Sequence, residues 1–248
     1  TEDERKKLIR VQELLSEEKM DAAAGLLQQY RDKAATAAFD LMLAKILFQN
    51  DHLDDAAAAY EIAVEKFPNF RRAWKDLGLI HVRLERHGKA IEALTRVVEL
   101  GGGDAVTYGL LGYSYAFQED YLAAESAYRN AILLDPDTMD WKKGLAQSFF
   151  RQRRYSQAVA ICDTLIAEYP DNAELWRLQA NAYIGMKQPL KAAENFELVD
   201  TLGASTADGL NTLGDIYINE ELYEPAVDSY IRALEKRPDG SVAALIPA

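Results

Sequence analysis

Between Ala105 and Thr138, apolar and polar positions alternate in two helical stripes parted by a short polar stretch. Tyr108, Leu111, Gly112 and Tyr115 stand at i, i+3, i+4 and i+7, one face of a helix. Glu119 and Asp120 supply the turn. Ala124, Tyr128 and Ala131 form the second stripe, and Pro136 stops that helix because it lacks an N–H and clashes with the preceding turn. The pattern returns every 34 residues. The Gly112 place holds Ala44, Gly78, Ala146, Ala180 and Gly214, all small, and the Ala124 place holds Ala56, Ala90, Ala158, Ala192 and Ala226. The Leu111 place holds Leu43, Leu77, Leu145, Gln179 and Leu213. Prolines close the units at Pro68, Pro136, Pro170 and Pro238, with Gly102 and Ala204 in two of these places. A register kept at so many positions predicts repeated helix pairs that stack on one another.

An aromatic, Leu-Gly and Tyr, followed by Ala, an aromatic, Ala and Pro, resembles the tetratricopeptide repeat family. Trp74, Leu77, Gly78, Ala90 and the unit at 105–138 match it most closely. The resemblance covers nearly the whole chain and speaks for fold far more than for function. It implies an all-α fold: a right-handed superhelical solenoid of stacked antiparallel helix pairs, about seven units long. In that family the first helix of each pair lines a concave groove that usually holds a peptide.

The register divides residues 3–240 into one solenoid of units 3–36, 37–70, 71–104, 105–138, 139–172, 173–206 and 207–240. The first unit is worn: Leu8, Val11, Leu14 and Leu15 carry its stripe, but Arg10 replaces the small residue, as suits a cap. The second has Asp40 where an aromatic usually stands. The third ends in Gly101-Gly102-Gly103, which lacks the preceding strand of a phosphate loop and reads as a flexible inter-repeat turn. The unit at 139–172 shifts its tryptophan to Trp141, leaving Lys142 in the aromatic register. Pro189 suits the first turn of a second helix, where a missing N–H costs nothing. Residues 241–248, SVAALIPA, are too few for a solvating helix, so the last unit is expected to expose an apolar face that further sequence or a partner would cover.

Charge narrows the partners. Lys and Arg number 28 against 40 Asp and Glu, a net charge of −12, which argues against nucleic acid. The single cysteine, Cys162, takes the place held elsewhere by Tyr60, Tyr128, Phe196 and Tyr230 and reads as a core thiol. His52 and His87 fall in turns, and His81 replaces a tyrosine, so the three histidines form no ligand set. No metal, cofactor or nucleophile motif is present, and no catalytic residue is expected. No apolar run is long enough for a bilayer and no signal peptide is seen, which leans towards the cytoplasm. The chain opens at Thr1 without a methionine, leaving room for upstream sequence.

The face of the first helices opposite the packing stripe comprises the second, fifth, sixth, ninth, twelfth and thirteenth places of each unit. Polar residues are expected there, yet Phe48, Leu110, Tyr113, Phe117 and Phe150 occupy it. Phe48 and Phe150, at the twelfth place, serve equally well as packing against the next pair. Among them lie Lys45, Arg72, Lys75, Arg83, Lys143, Arg151 and Arg177, while the last unit carries Asp208, Asn211, Asp215 and Asn219. The candidate peptide-binding set is Lys75, Leu110, Tyr113, Phe117, Lys143, Gln147, Phe150, Arg151, Arg177 and Asn181. Arg177 and Asn181 resemble the first element of the family's carboxylate clamp for chaperone tails, but Thr212 stands where its next asparagine belongs. That clamp is therefore not expected. The reading is a non-catalytic scaffold that binds a protein or peptide segment, with acidic residues suited to the cations. Two alternatives are the recruiting arm of a larger enzyme and a self-assembling element whose stack ends meet in a homodimer.

Overall fold

The computed structural model describes residues 2–30 and 36–236, and its fourteen elements are all helices. They are α1 (Glu2–Ser16), α2 (Met20–Tyr30), α3 (Ala37–Gln49), α4 (Leu53–Lys66), α5 (Arg71–Arg83), α6 (His87–Glu99), α7 (Ala105–Phe117) and α8 (Tyr121–Leu134). After these come α9 (Met139–Arg151), α10 (Tyr155–Glu168), α11 (Ala173–Gly185), α12 (Pro189–Thr201), α13 (Ala207–Asn219) and α14 (Tyr223–Glu235). From α3 onward both helices of each pair begin at the 34-residue spacing seen in the sequence. The chain is an all-α repeat. It divides into two compact bodies, one running through Pro136 and one from Asp137. In the first, α1 to α8 each pack on the next helix, and α5 also touches α7. In the second, α9 to α14 do the same, and α9 touches α11. In each body, these two first helices thus lie side by side.

The small positions explain the pairing. Ala56, Ala90, Ala124, Ala158, Ala192 and Ala226 are all fully buried. A Cβ added at Gly112 would lie 2.8 Å from the Tyr128 ring, at Gly78 2.6 Å from Leu94, and at Gly214 2.6 Å from Tyr230. The glycine of the first helix therefore admits the bulky residue of the second. Cys162 is fully buried in this bulky place, and burial pushes its thiol up to about 12. It is a core thiol.

Each turn inside a pair closes on a residue of positive φ: Glu18, Asp51, Glu85, Glu119, Arg153, Lys187 and Glu221. Around Glu119, the Glu119 N–H donates to Ala116 and the Asp120 N–H to Tyr115, the bonding of a Schellman cap. None of these residues is glycine, so composition gave no hint of the left-handed turn. The glycine triplet is an inter-repeat turn, as expected. Gly101, at φ 73°, closes α6 as a left-handed cap, with the Gly102 N–H donating to Val97. Arg71 and Tyr108 lie so close to Gly102 and Gly103 that a Cβ would meet them at 1.9 and 2.6 Å. Gly102 and Gly103 are thus packed closely against these side chains. Gly203 repeats the cap where Ala204 replaces the closing proline. His52 lies in the turn before α4 as its N-cap, whereas His87 is the first residue of α6 rather than a turn residue. Pro238 and residues 241–248 lie outside the described residues.

Breaks in the repeat pattern have local partners. Asp40, in an aromatic place, is buried and receives a 2.7 Å hydrogen bond from Lys66. Trp74 and Trp176 donate to the carbonyls of Pro68 and Pro170, tying each first helix to the turn before it. Gln179, in a leucine place, donates to Asp163 at 2.6 Å and accepts from Asn195 at 2.8 Å. Gln179→Leu restores the repeat's usual residue, yet it strands the buried Asn195 amide. A loss of about 1–2 kcal/mol is expected in urea denaturation, and Gln179→Leu with Asn195→Ala should recover part of it. A midpoint raised by the single change would show that the network adds nothing.

Candidate functional site

On the first body, α7 presents Tyr113 and Phe117 outward, 40% and 57% exposed. They are four residues apart and so stack along one helix face, with ring centroids 4.7 Å apart. His87, from the start of α6, stacks on Phe117 at 4.3 Å and meets Tyr113 edge-on at 5.7 Å. Both imidazole nitrogens of His87 are shielded and without a hydrogen-bond partner. The ring thus works here as a flat apolar support that holds both aromatics in place. Its signal was legible in hindsight: the first place of the second helix is bulky in most units, as Leu53, Tyr121, Tyr155 and Tyr223 show, with Pro189 the exception. Leu110 points elsewhere in effect, half-buried and packed on the core of Leu94, Leu111 and Ala127.

The cations of this body are largely engaged. Lys75 pairs with Asp104, the residue that caps α7 by accepting from the Thr107 N–H at 2.8 Å. Burial pushes the Asp104 carboxyl up, but the hydrogen bonds from Lys75 and Thr107 outweigh it and hold it below the usual range. Arg83 bonds Asp51 at 2.7 Å while its guanidinium sits 5.4 Å from the Phe48 ring. Phe48 is therefore packed under a neighbouring unit's arginine. These contacts tie one pair to the next, and they lower the positive field that the sequence suggested.

On the second body, Phe150 is half-buried, with Tyr155 at 5.6 Å. Tyr155 in turn covers Gly185, where a Cβ would meet its ring at 2.5 Å. Lys143 bonds Glu174 at 3.1 Å, and this hydrogen bond, with a smaller contribution from Arg177, holds the Glu174 carboxyl below its usual range. Gln147 and Arg151 are exposed, and Arg177 and Asn181 half-buried. The structure thus joins Tyr113, Phe117 and His87 in one patch, and Lys143 and Arg177 around Glu174 in another. Among the described residues no group of three metal-ligating side chains comes together, and no helix is long and apolar enough to cross a membrane.

Comparisons with known proteins agree with this architecture. One model described as a tetratricopeptide repeat matches residues 41–105 and 110–173, and a second matches 207–239. Intraflagellar transport protein 70A of Xenopus laevis is 25% identical over 158 residues, covering 62% of this chain and 23% of that protein. The peroxisomal targeting signal receptor of Yarrowia lipolytica is 28% identical over 166 residues, covering 50% and 28%. The chain spans about a quarter of the length of these curated relatives. Among solved structures, a tetratricopeptide repeat protein from Parabacteroides merdae superposes with a TM-score of 0.61 at 17% identity, over 95% of this chain and 94% of that one. YrrB, a repeat protein described as having an unusual peptide-binding site, gives 0.61 at 17% identity over 77% and 92%. At such identities the likeness is one of fold.

Proposed function

Because the chain belongs to the tetratricopeptide repeat family, we propose that it is a protein-interaction scaffold whose first-helix faces each hold a segment of a partner protein. The observation that carries this reading is the exposed Tyr113–Phe117 pair, ordered by His87 on a helix face that needs no aromatic for its own packing. Each ring buried by a ligand contributes about 1.5–3 kcal/mol at most. Arg151 and Arg177, which make no ion pair among the described residues, with Gln147 and Asn181 beside them in register, supply the polar selection on the second body. They favour acidic side chains by roughly 0.2–1 kcal/mol per exposed pair. Lys75 and Lys143 contribute less than their charge suggests, since a partner's carboxylate must compete with Asp104 and Glu174. Relatives named for a targeting signal, and a neighbour described by its peptide-binding site, support a protein segment as ligand.

Phe117→Ala and Tyr113→Ala should each weaken capture of the partner about tenfold or more, with helicity and thermal midpoint nearly unchanged. Affinity purification from the source cell, repeated with each variant, checks this. A variant that melts as a truncated core would, by ~3 kcal/mol or more, assigns its ring to packing and removes the anchor. Charge reversal at Arg151 and Arg177 should mainly slow association and flatten its salt dependence.

A further inference from the structure

Another recessed feature of the first body shares no lining residue with the patch of Tyr113, Phe117 and His87. It is a cleft of about 600 Å³ between α4 and α6, floored by Trp74, Leu77 and His81 of α5 and by Ala93 of α6. Three of its walls' side chains are carboxylates, Glu61, Glu65 and Glu92, all exposed, against one cation, Lys89. Lys89 bonds Glu61 at 2.8 Å and leaves Glu65 and Glu92 without a counter-charge among the described residues. His81 is 2% exposed, its Nε2 lies 3.6 Å from Glu61, and its Nδ1 has no hydrogen-bond partner. Burial lowers the pKa of this histidine, so it adds no positive charge to the cleft near neutral pH. The Trp74 ring is fixed in place by its hydrogen bond to Pro68.

The cleft is not a general consequence of the repeat. The same register 102 residues on, in the second body, holds Gln179, Tyr183, Lys191 and Asn195 in place of Leu77, His81, Lys89 and Ala93. There the larger side chains satisfy one another. Gln179 bonds Asp163, Asn195 bonds Gln179, and Lys191 lies over the Tyr183 ring at 5.4 Å. Where the first body has a small alanine, a compact histidine and unpaired carboxylates, the second has a closed network.

We infer that this cleft is a second binding site, one that takes a basic side chain, arginine above all, from a segment of a partner protein. The aliphatic stem would lie over Leu77 and Ala93, the guanidinium would meet the face of Trp74 and the carboxylates of Glu65 and Glu92. A planar cation satisfies both an aromatic face and a carboxylate fork, which a lysine ammonium does less well. The chain's net charge of −12 favours approach of a basic segment, and this cleft adds an apolar floor to its carboxylates.

The test uses acetyl-Ala-Leu-Arg-Ala-amide and its citrulline twin, which keeps the shape and loses the charge. Binding is followed by calorimetry and by the imidazole signals of His81 in the intact chain, identified by their loss in His81→Tyr. A saturable shift of the His81 signals is expected with the arginine peptide and not with the citrulline peptide. Glu65→Gln with Glu92→Gln should weaken binding roughly fivefold to tenfold, two partly screened pairs' worth. Glu220→Gln with Glu221→Gln, exposed carboxylates on the second body, should leave it unchanged. Equal response to both peptides, equal weakening by both carboxylate pairs, or heat without any His81 shift would each overturn the site. Phe117→Ala should leave this binding intact, so the cleft and the α7 face stand or fall separately.

Discussion

Gly112→Leu should lower the stability of the first body by about 3 kcal/mol, the upper end of ordinary overpacking. The physical reason is that even a Cβ at this point would sit 2.8–2.9 Å from three carbons of the Tyr128 ring. Tyr128 is itself buried, 5% exposed, so the ring has little room to swing away. The helices must then separate, and the fully buried Ala124 and Ala131 beside the contact lose their packing. Gly214→Leu should cost less. Its opposing ring, Tyr230, is only half-buried, so it can swing outward at the loss of a single hydrogen bond to Asp215. Urea denaturation of both variants, with far-UV helicity as a check, measures the order. Unchanged midpoints for Gly112→Leu would mean that the two helices do not meet there as described.

The same contact shows why the fold was legible. A place that stays small from the second unit on, facing a place that is bulky in all of those units except at Cys162, leaves a 34-residue trace in the sequence, because close helix approach leaves little other choice. The turns left no trace. Asp51, Glu85, Glu119, Arg153, Lys187 and Glu221 take a left-handed conformation that glycine would usually announce, and the Schellman hydrogen bonds hold them there. The candidate faces lay between these extremes. Helical periodicity sufficed to single out Tyr113 and Phe117 as outward residues, and both are exposed. It could not find His87, since a residue that begins the preceding helix is brought to them only by the stacking of pairs. Nor could it reveal that Arg83 and Lys143 already face carboxylates of neighbouring units, and Lys75 the Asp104 that caps the next pair. Pairings across units depend on rotamers, and a charge count along one helix face is blind to them.

Asp40 and Lys66 offer the second large effect. In the aromatic place of its unit, Asp40 has a side chain 1% exposed, while Lys66 remains 18% exposed at 2.7 Å. The two partners should therefore not be equivalent. Removing the lysine, as in Lys66→Met, leaves a carboxylate that no water reaches, and ~3 kcal/mol or more should be lost. Asp40→Leu leaves an ammonium whose long stem can carry it to water, so the loss should be smaller, about 1–2 kcal/mol. The double variant Asp40→Leu with Lys66→Met replaces the pair by apolar groups, in a unit whose siblings use Trp74 and Tyr108 at this place. It should recover most of the stability of the unaltered chain. Both residues make other interactions as well, so the quantity to read is the coupling in the double-mutant cycle, in which those cancel to first order. Coupling of about 2 kcal/mol or more, with Lys66→Met the worse single change, is expected from denaturant midpoints at pH 7. Additive losses would mean that the ion pair contributes nothing, and equal single losses that the carboxylate is as well solvated as the amine.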